Sequence, residues 1–269
     1  MNAWLHNTLV EIKLTFRDKE ALFWNYILPL LFLFLFCSIF GRGNPKGVTG
    51  MMPGLLCISA MAAGFFNLSI GLVTARERSI LRRYQLAPVR PWLIITSQLT
   101  ANFIIVISTL MLQLAAARLV YHIEIAGSIW STMLLLITGV LAFLALGFVI
   151  ASVAESVKVA LVTANILFYP LMFLGGAAIP KQMLSPALRK VALLLPTTFF
   201  VDGLGQIMVD GASLRNSLPH LIVLLSTFVV ALAIAAKLFR WDSNTPHTLV
   251  QRAWIGVIAL IFVFAAIWI

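Results

Sequence analysis

Residues 125–154 read IAGSIWSTMLLLITGVLAFLALGFVIASVA, and these 30 positions contain no Asp, Glu, Lys or Arg. A helix needs about 20 apolar residues to cross the hydrocarbon core of a bilayer. Because lipid offers the backbone no hydrogen-bonding partner, a spanning segment of this kind must satisfy its own peptide groups as a helix. The stretch therefore predicts a transmembrane helix near the middle of the chain.

Six further stretches without charge surround it: 21–41, 47–75, 91–117, 159–180, 216–236 and 253–269. The final stretch has only 17 residues, which would reach about 25 Å as a helix and could cross a thin or locally deformed bilayer. Hydrophobic residues make up 61% of the chain and charged residues 10%. This composition excludes a soluble domain and predicts an all-α, polytopic membrane protein.

The basic residues indicate how the chain is oriented. If the N-terminus is cytoplasmic and the spans alternate, 12 Lys and Arg residues fall on the cytoplasmic side and 7 on the other. Positive charge prefers the cytoplasmic side, so we expect a multi-pass protein of the cytoplasmic (inner) membrane with its N-terminus in the cytoplasm. Orientation and contact with lipid headgroups then account for the net charge of +10, and nucleic-acid binding is not needed to explain it.

Residues 1–20 are too polar to span the membrane, but their apolar side chains are spaced for a helix. Leu5, Leu9, Ile12 and Phe16 fall on one face. The pattern predicts an amphipathic helix in the inner membrane interface. A cytoplasmic helix packed against the bundle is the alternative.

A dense charge cluster follows the second apolar stretch. Arg76, Glu77, Arg78, Arg82 and Arg83 are interleaved with apolar residues. We expect a short amphipathic helix over about 75–86, lying on the cytoplasmic surface and stopped by the prolines that follow. An ordinary basic loop with snorkelling arginines is the alternative.

The apolar pattern breaks after the fifth stretch. Residues 182–195 predict a short helix, and the run Val191–Val201 is too short to span and contains Pro196. Residues of about 179–205 therefore predict a re-entrant or interfacial segment on the outer side, where it would cover the end of a path.

Three segments together resemble the type-2 ABC exporter permeases, which are membrane subunits that work with a separate ATP-binding subunit. They are RDKEALFW at 17–24, RERSILRRY at 76–84, and an outer region with FLGG at 173–176 and FFVDG at 199–203. The resemblance covers about 10–240. It implies a six-helix permease domain over 21–240 after the interfacial helix 1–20. Residues 241–269 would be a linker and a seventh helix, in which the chain departs from the usual six spans of the family.

The resemblance also implies partners: a homodimer of this chain, two copies of the ATP-binding subunit, and membrane lipid. Contact with that subunit would be made by Arg76, Glu77, Arg78, Leu81, Arg82, Arg83 and Tyr84. The sequence contains no G-x-x-x-x-G-K-[ST] phosphate-binding loop. We therefore expect a transporter subunit that is not itself an enzyme and holds no cofactor, with ATP and Mg on the partner.

By the same resemblance, the second and fifth spans would line the substrate path, through Phe65, Phe66, Asn67, Asn165, Phe168, Tyr169, Met172 and Phe173. The outer gate would comprise Gly175, Gly176, Pro180 and Pro196. Each path residue could equally be an ordinary packing residue. The spans carry no charge at mid-membrane, which argues against a proton-coupled carrier and favours export of an apolar or amphipathic, drug-like or lipid-like substrate. A polysaccharide or other polymer export permease, and a non-transporting scaffold or sensor with the same fold, are the alternatives.

Overall fold

The computed structural model describes residues 3–40, 45–80 and 91–238. Within these ranges six helices are long and apolar enough to cross a membrane, and we number them span 1 to span 6: Lys19–Ile39, Pro45–Glu77, Ile95–Tyr121, Ile129–Val153, Val157–Leu174 and Leu218–Leu238. The predicted all-α membrane fold is confirmed. The seventh apolar stretch, 253–269, lies outside the described residues.

Span 1 begins at a capped N-terminus and is interrupted by a π-helical turn. The Asp18 carboxylate accepts hydrogen bonds from the backbone N–H groups of Glu20 and Ala21, which satisfies two donors at the start of the helix. The span then consists of an α-helix over Lys19–Leu22, a π-helix over Phe23–Ile27 and an α-helix over Leu28–Phe40.

Span 2 has the same interruption. It is α-helical over Pro45–Ala62, π-helical over Ala63–Leu68 and α-helical again over Ser69–Glu77. Within the described residues, the helix that contains span 3 covers Pro91–Tyr121, while the helices of spans 4, 5 and 6 have the bounds of the spans themselves.

Span 4 lies at the centre of the bundle, packed against both span 2 and span 6. Its backbone touches that of span 2, because a Cβ on Gly64 would lie 2.3 Å from the carbonyl oxygen of Phe143. Similarly, a Cβ on Gly147 would lie 2.0 Å from the carbonyl oxygen of Gly64. Small residues allow membrane helices to approach this closely, and dispersion contacts along the seam then hold them together.

Two helices follow span 5 in the region for which the sequence predicts a re-entrant or interfacial segment, and we call them the outer segment. Pro186–Ala192 and Pro196–Met208 meet at an angle of 91°, after a single 3₁₀ turn at Lys181–Met183. Ser185 caps the first of them through its side chain. Phe200 on the second helix is fully buried, and its ring lies 5.6 Å from that of Phe143 in span 4. The outer segment is thus anchored in the core of the bundle.

The N-terminal helix, Ala3–Arg17, packs against the helix that contains span 3. Its polar side faces that helix: the Asn7 amide donates to the Ser97 hydroxyl at 2.9 Å, and Thr8 is buried. Its apolar side faces outward, with Leu9 51% exposed. The helix is therefore docked on the bundle while still presenting an apolar face, as an interfacial helix would.

Candidate functional site

The C-terminal end of span 2 carries the first two residues of the predicted coupling set. Arg76 is buried, and its guanidinium donates to the carbonyl oxygen of Ala151 at 3.0 Å and to that of Ala154. The exposed Glu77 carboxylate accepts a hydrogen bond of 2.8 Å from the backbone N–H of Val157. Both side chains therefore contact the turn between spans 4 and 5.

The helix of span 2 continues through Glu77 and ends there. The predicted start of the coupling helix at residue 75 thus falls within the last turn of span 2. Arg78 is exposed just beyond the end. Ser79 has a φ of 55°, a left-handed conformation that costs a non-glycine residue about 1–2 kcal/mol and that interrupts the α-helical winding of span 2. Four members of the predicted set, Leu81, Arg82, Arg83 and Tyr84, lie outside the described residues.

The predicted path residues of spans 2 and 5 meet through their aromatic rings. Phe66 and Phe168 lie edge to face with ring centroids 5.2 Å apart, and Phe168 and Tyr169 at 5.7 Å. Tyr169 and Phe173 are exposed on the surface of the protomer. In contrast, Phe65 is 1% exposed and lies inside the bundle, so it offers no surface to a substrate within one protomer.

The remaining predicted path residues have more local contacts. Asn165 donates its side-chain N–H to the carbonyl oxygen of Leu161, one turn earlier, at 2.8 Å. Met172 is partly buried and packs against the core. These contacts resemble ordinary helix packing, which was the alternative for each residue.

Asn67 has a partner that the sequence did not indicate. Its side-chain N–H donates to Asn25 Oδ1 at 2.6 Å, and Asn25 itself is 9% exposed. Asn25 lies in the π-helical turn of span 1 and Asn67 in that of span 2. Ser59 and Thr109 line the small cleft beside this pair. π-helical turns inside α-helices frequently occur at functional sites, and the signal in the sequence was a single amide within each of two apolar stretches.

Two of the four predicted outer-gate residues lie where span 5 meets the second outer helix. Gly175 caps span 5, and a Cβ at this position would lie 1.9 Å from Thr197 Oγ1. Pro196 occupies the first turn of the helix that carries Thr197. Span 5 therefore abuts the start of the second outer helix through two of the predicted positions. Gly176 follows with a φ of 82°, and Pro180 is exposed before the 3₁₀ turn.

An ion pair joins two parts of the chain that follows span 5. The Lys181 ammonium contacts the Asp202 carboxylate, and both side chains are partly buried. It links the 3₁₀ turn after span 5 to the second outer helix. Sequence reasoning missed the pair because neither residue stands out alone; the lysine follows Pro180 and the aspartate lies inside the FFVDG motif.

Charge is confined to the ends of the spans in the described part of the chain, and aromatic and amide side chains lie between the two ends. The described spans therefore have no formal charge at mid-membrane, where an ion or proton pathway usually has one. The sequence model of the family described as ABC-2 type transporter matches residues 3–209. The chain therefore belongs to the ABC-2 type transporters and is a multi-pass transport permease, as the three sequence segments indicated.

Individual relatives agree with this family. A Bacillus subtilis (strain 168) protein named as a transport permease, YvfS, is 21% identical over 234 residues, covering 86% of this chain and 95% of the relative. Nodulation protein J of Rhizobium leguminosarum bv. viciae is 26% identical over 215 residues, covering 75% and 82%. The inner membrane transport permease YhhJ of Escherichia coli (strain K12) is 25% identical over 176 residues, covering 65% of this chain and 47% of the relative.

Proposed function

We propose that the chain is the transmembrane subunit of an ATP-driven exporter for an apolar or amphipathic substrate of drug-like or lipid-like chemistry. In this proposal two copies of the chain form a homodimer, and each binds one copy of a separate ATP-binding subunit that holds ATP and Mg. The protein resides in the cytoplasmic (inner) membrane with its N-terminus in the cytoplasm. The observation that carries the substrate class is the aromatic contact between spans 2 and 5, formed by Phe66 and Phe168.

The chemistry of this surface favours a substrate that is mainly apolar. Tyr169 and Phe173 offer exposed ring faces, which adapt to apolar groups of varied shape. Phe168 is 8% exposed and supports this surface by packing against Phe66 and Tyr169. The polar side chains on these parts of spans 2 and 5, Asn67, Asn165 and the Tyr169 hydroxyl, are neutral. A permanently charged substrate would meet no counter-charge here, and burying its charge unpaired would be costly.

The dimer is supported by how little of span 5 the protomer covers. In the most apolar part of each span, 17% of residues are buried in span 5, against 67% in span 4. Tyr169 and Phe173 lie on this uncovered span. A second copy packed beside span 5 would enclose the aromatic surface and create a path between the protomers.

Co-purification and reconstitution test the proposal. The full-length chain would be purified with its ATP-binding subunit, incorporated into liposomes and assayed for ATP-dependent movement of a fluorescent phospholipid, an amphipathic dye and a labelled polysaccharide. We expect ATP-dependent movement of the lipid or the dye. The variant Tyr169→Ala should reduce it several-fold, because Tyr169 is exposed on span 5. Leu167→Ala is the matched control, since Leu167 lies on the same helix, is 41% exposed and lies about 160° around the helix from Tyr169.

The outcomes separate the candidate functions. Movement of polysaccharide alone would support the polymer-export alternative and refute the lipid-like substrate. An ATP-binding subunit that binds while nothing moves would indicate a scaffold or sensor. Labelling of an Arg78→Cys variant only from the extracytoplasmic side would overturn the orientation, and with it any contact between the C-terminal end of span 2 and a cytoplasmic ATPase.

A further inference from the structure

The end of span 2 is fastened to the turn between spans 4 and 5 by two adjacent side chains of opposite charge. Arg76 binds the carbonyl oxygens of Ala151 and Ala154, and Glu77 binds the N–H of Val157. We call this set of contacts the corner clamp. Arg76 is 4% exposed, so the contacts on the arginine side lie in protected surroundings, where hydrogen bonds to a charged group are strong.

The two charges match the helix ends that they contact. Span 4 ends at Val153, and its last turn leaves carbonyl oxygens without partners inside the helix. A cation is favoured there because this end of the helix dipole is negative. Span 5 starts at Val157, where free N–H groups and the positive end of the dipole favour an anion. Arg76 and Glu77 thus supply the favourable charge at both ends of one short turn.

The helix of span 2 ends directly after the clamp. The Arg78 N–H donates to the carbonyl oxygen of Thr74, and the Ser79 N–H to that of Arg76, each at 3.0 Å. With the left-handed conformation of Ser79, these bonds close the helix end into a compact corner. Any force applied to the polypeptide beyond this corner reaches the membrane through residues that also bind spans 4 and 5.

We propose that Arg76 and Glu77 are positioning residues rather than direct contacts to the ATPase. They transmit movement of the cytoplasmic segment that follows residue 80 to spans 4 and 5. The inference rests on the proposed function, since it assumes an ATP-binding subunit acting on that segment. Span 5 is lightly covered by its own protomer and carries Phe168 and Tyr169. If the end of span 5 at Val157 moves together with span 2, the aromatic residues that the two spans carry move together as well.

The decisive variant is Glu77→Ala, because Glu77 is exposed and its loss should not prevent folding. Glu155→Ala is the matched control: it removes the same charge from an exposed position on the same turn. Both would be compared with the unaltered chain in the liposome complex, measuring ATP hydrolysis and substrate moved per ATP. We expect ATP hydrolysis to persist in Glu77→Ala while substrate moved per ATP falls several-fold, since the start of span 5 loses its hydrogen bond to the end of span 2. Glu155→Ala should behave as the unaltered chain does, and Glu77→Asp should recover part of the loss.

A second measurement reports on the clamp without the ATPase. Hydrogen exchange of the backbone amides around Val157 should accelerate in Glu77→Ala and not in Glu155→Ala. The inference is overturned if the amides are loosened but substrate moved per ATP is unchanged, or if the two alanine variants exchange alike. A complex of the unaltered chain that moves no substrate with ATP refutes the proposed function instead, so the two failures are distinguishable.

Discussion

The contact between the backbones of spans 2 and 4 makes a quantitative prediction for Gly64→Ala. The new Cβ would lie 2.3 Å from the Phe143 carbonyl oxygen, where ordinary contact begins at 3.4 Å, so the helices must separate by about 1.1 Å. Overpacking of a close-packed interior costs about 1–3 kcal/mol. We therefore expect Gly64→Ala to lower the free energy of unfolding by about 1–3 kcal/mol.

Gly71→Ala, on the same span, is the matched control. A Cβ at Gly71 meets nothing within 4 Å, and replacing a helical glycine by alanine should be neutral or stabilise by about 0.5–1 kcal/mol. The measurement is SDS titration in mixed micelles, followed by tryptophan fluorescence. Equal unfolding free energies for Gly64→Ala and Gly71→Ala would show that spans 2 and 4 are not in backbone contact, and the central packing described above would be wrong.

Three further predictions concern the outer region and the N-terminal helix. Lys181→Met should lower the free energy of unfolding by about 1–2 kcal/mol because Asp202 loses its partner, and exchanging the two residues between the positions should restore most of it; no loss in SDS titration would argue against the pair. Gly176→Ala should cost about 1–2 kcal/mol because of its positive φ, whereas Gly205→Ala, in open space, should not, and equal unfolding curves would contradict the backbone conformation. Burial raises the pKa of Glu11 above its usual range, partly opposed by the hydrogen bond with Gln98. A raised pKa in the folded state means that the contribution of Glu11 to docking of the N-terminal helix is full below the usual carboxyl pKa and is lost as pH rises through the folded pKa. The protection of the backbone amides of the N-terminal helix against hydrogen exchange should therefore fall as pH rises from the usual carboxyl pKa through the folded-state pKa of Glu11. The variant Glu11→Gln should remove this fall in protection, and a pH profile unchanged by that variant would refute the prediction.

The positions of the spans could be predicted because a charge-free apolar stretch inside a bilayer must satisfy its backbone hydrogen bonds within itself, which requires a helix. The stretch 125–154 became span 4 at Ile129–Val153. The stretch 159–180 overran the end of span 5 by several residues, because hydrophobicity does not register that Gly175 ends the helix. The short helix predicted around Pro186 is present, since proline at the first turn after a serine cap is a strong local signal.

The candidate site was less accessible to sequence reasoning because its contacts join distant segments. Arg76 is one member of a basic cluster, and its neighbours in sequence indicate a cytoplasmic surface. It is buried because the carbonyl oxygens of span 4, some 75 positions later in the chain, lie beside it. The contact between Asn25 and Asn67 likewise depends on the π-helical turns of two helices. The spacing of apolar residues in the sequence does not show where a helix changes from α-helical to π-helical hydrogen bonding.

The paired π-helical turns of spans 1 and 2 have an evolutionary consequence. A turn of this kind accommodates an additional residue, and one residue rotates the following part of an α-helix by about 100°. Deleting a single residue near Asn25 or Asn67 would restore regular winding, but it would also swing one amide out of reach of the other. Homologues that lack the amide pair should therefore tolerate one-residue gaps at these two places, whereas homologues that keep it should not.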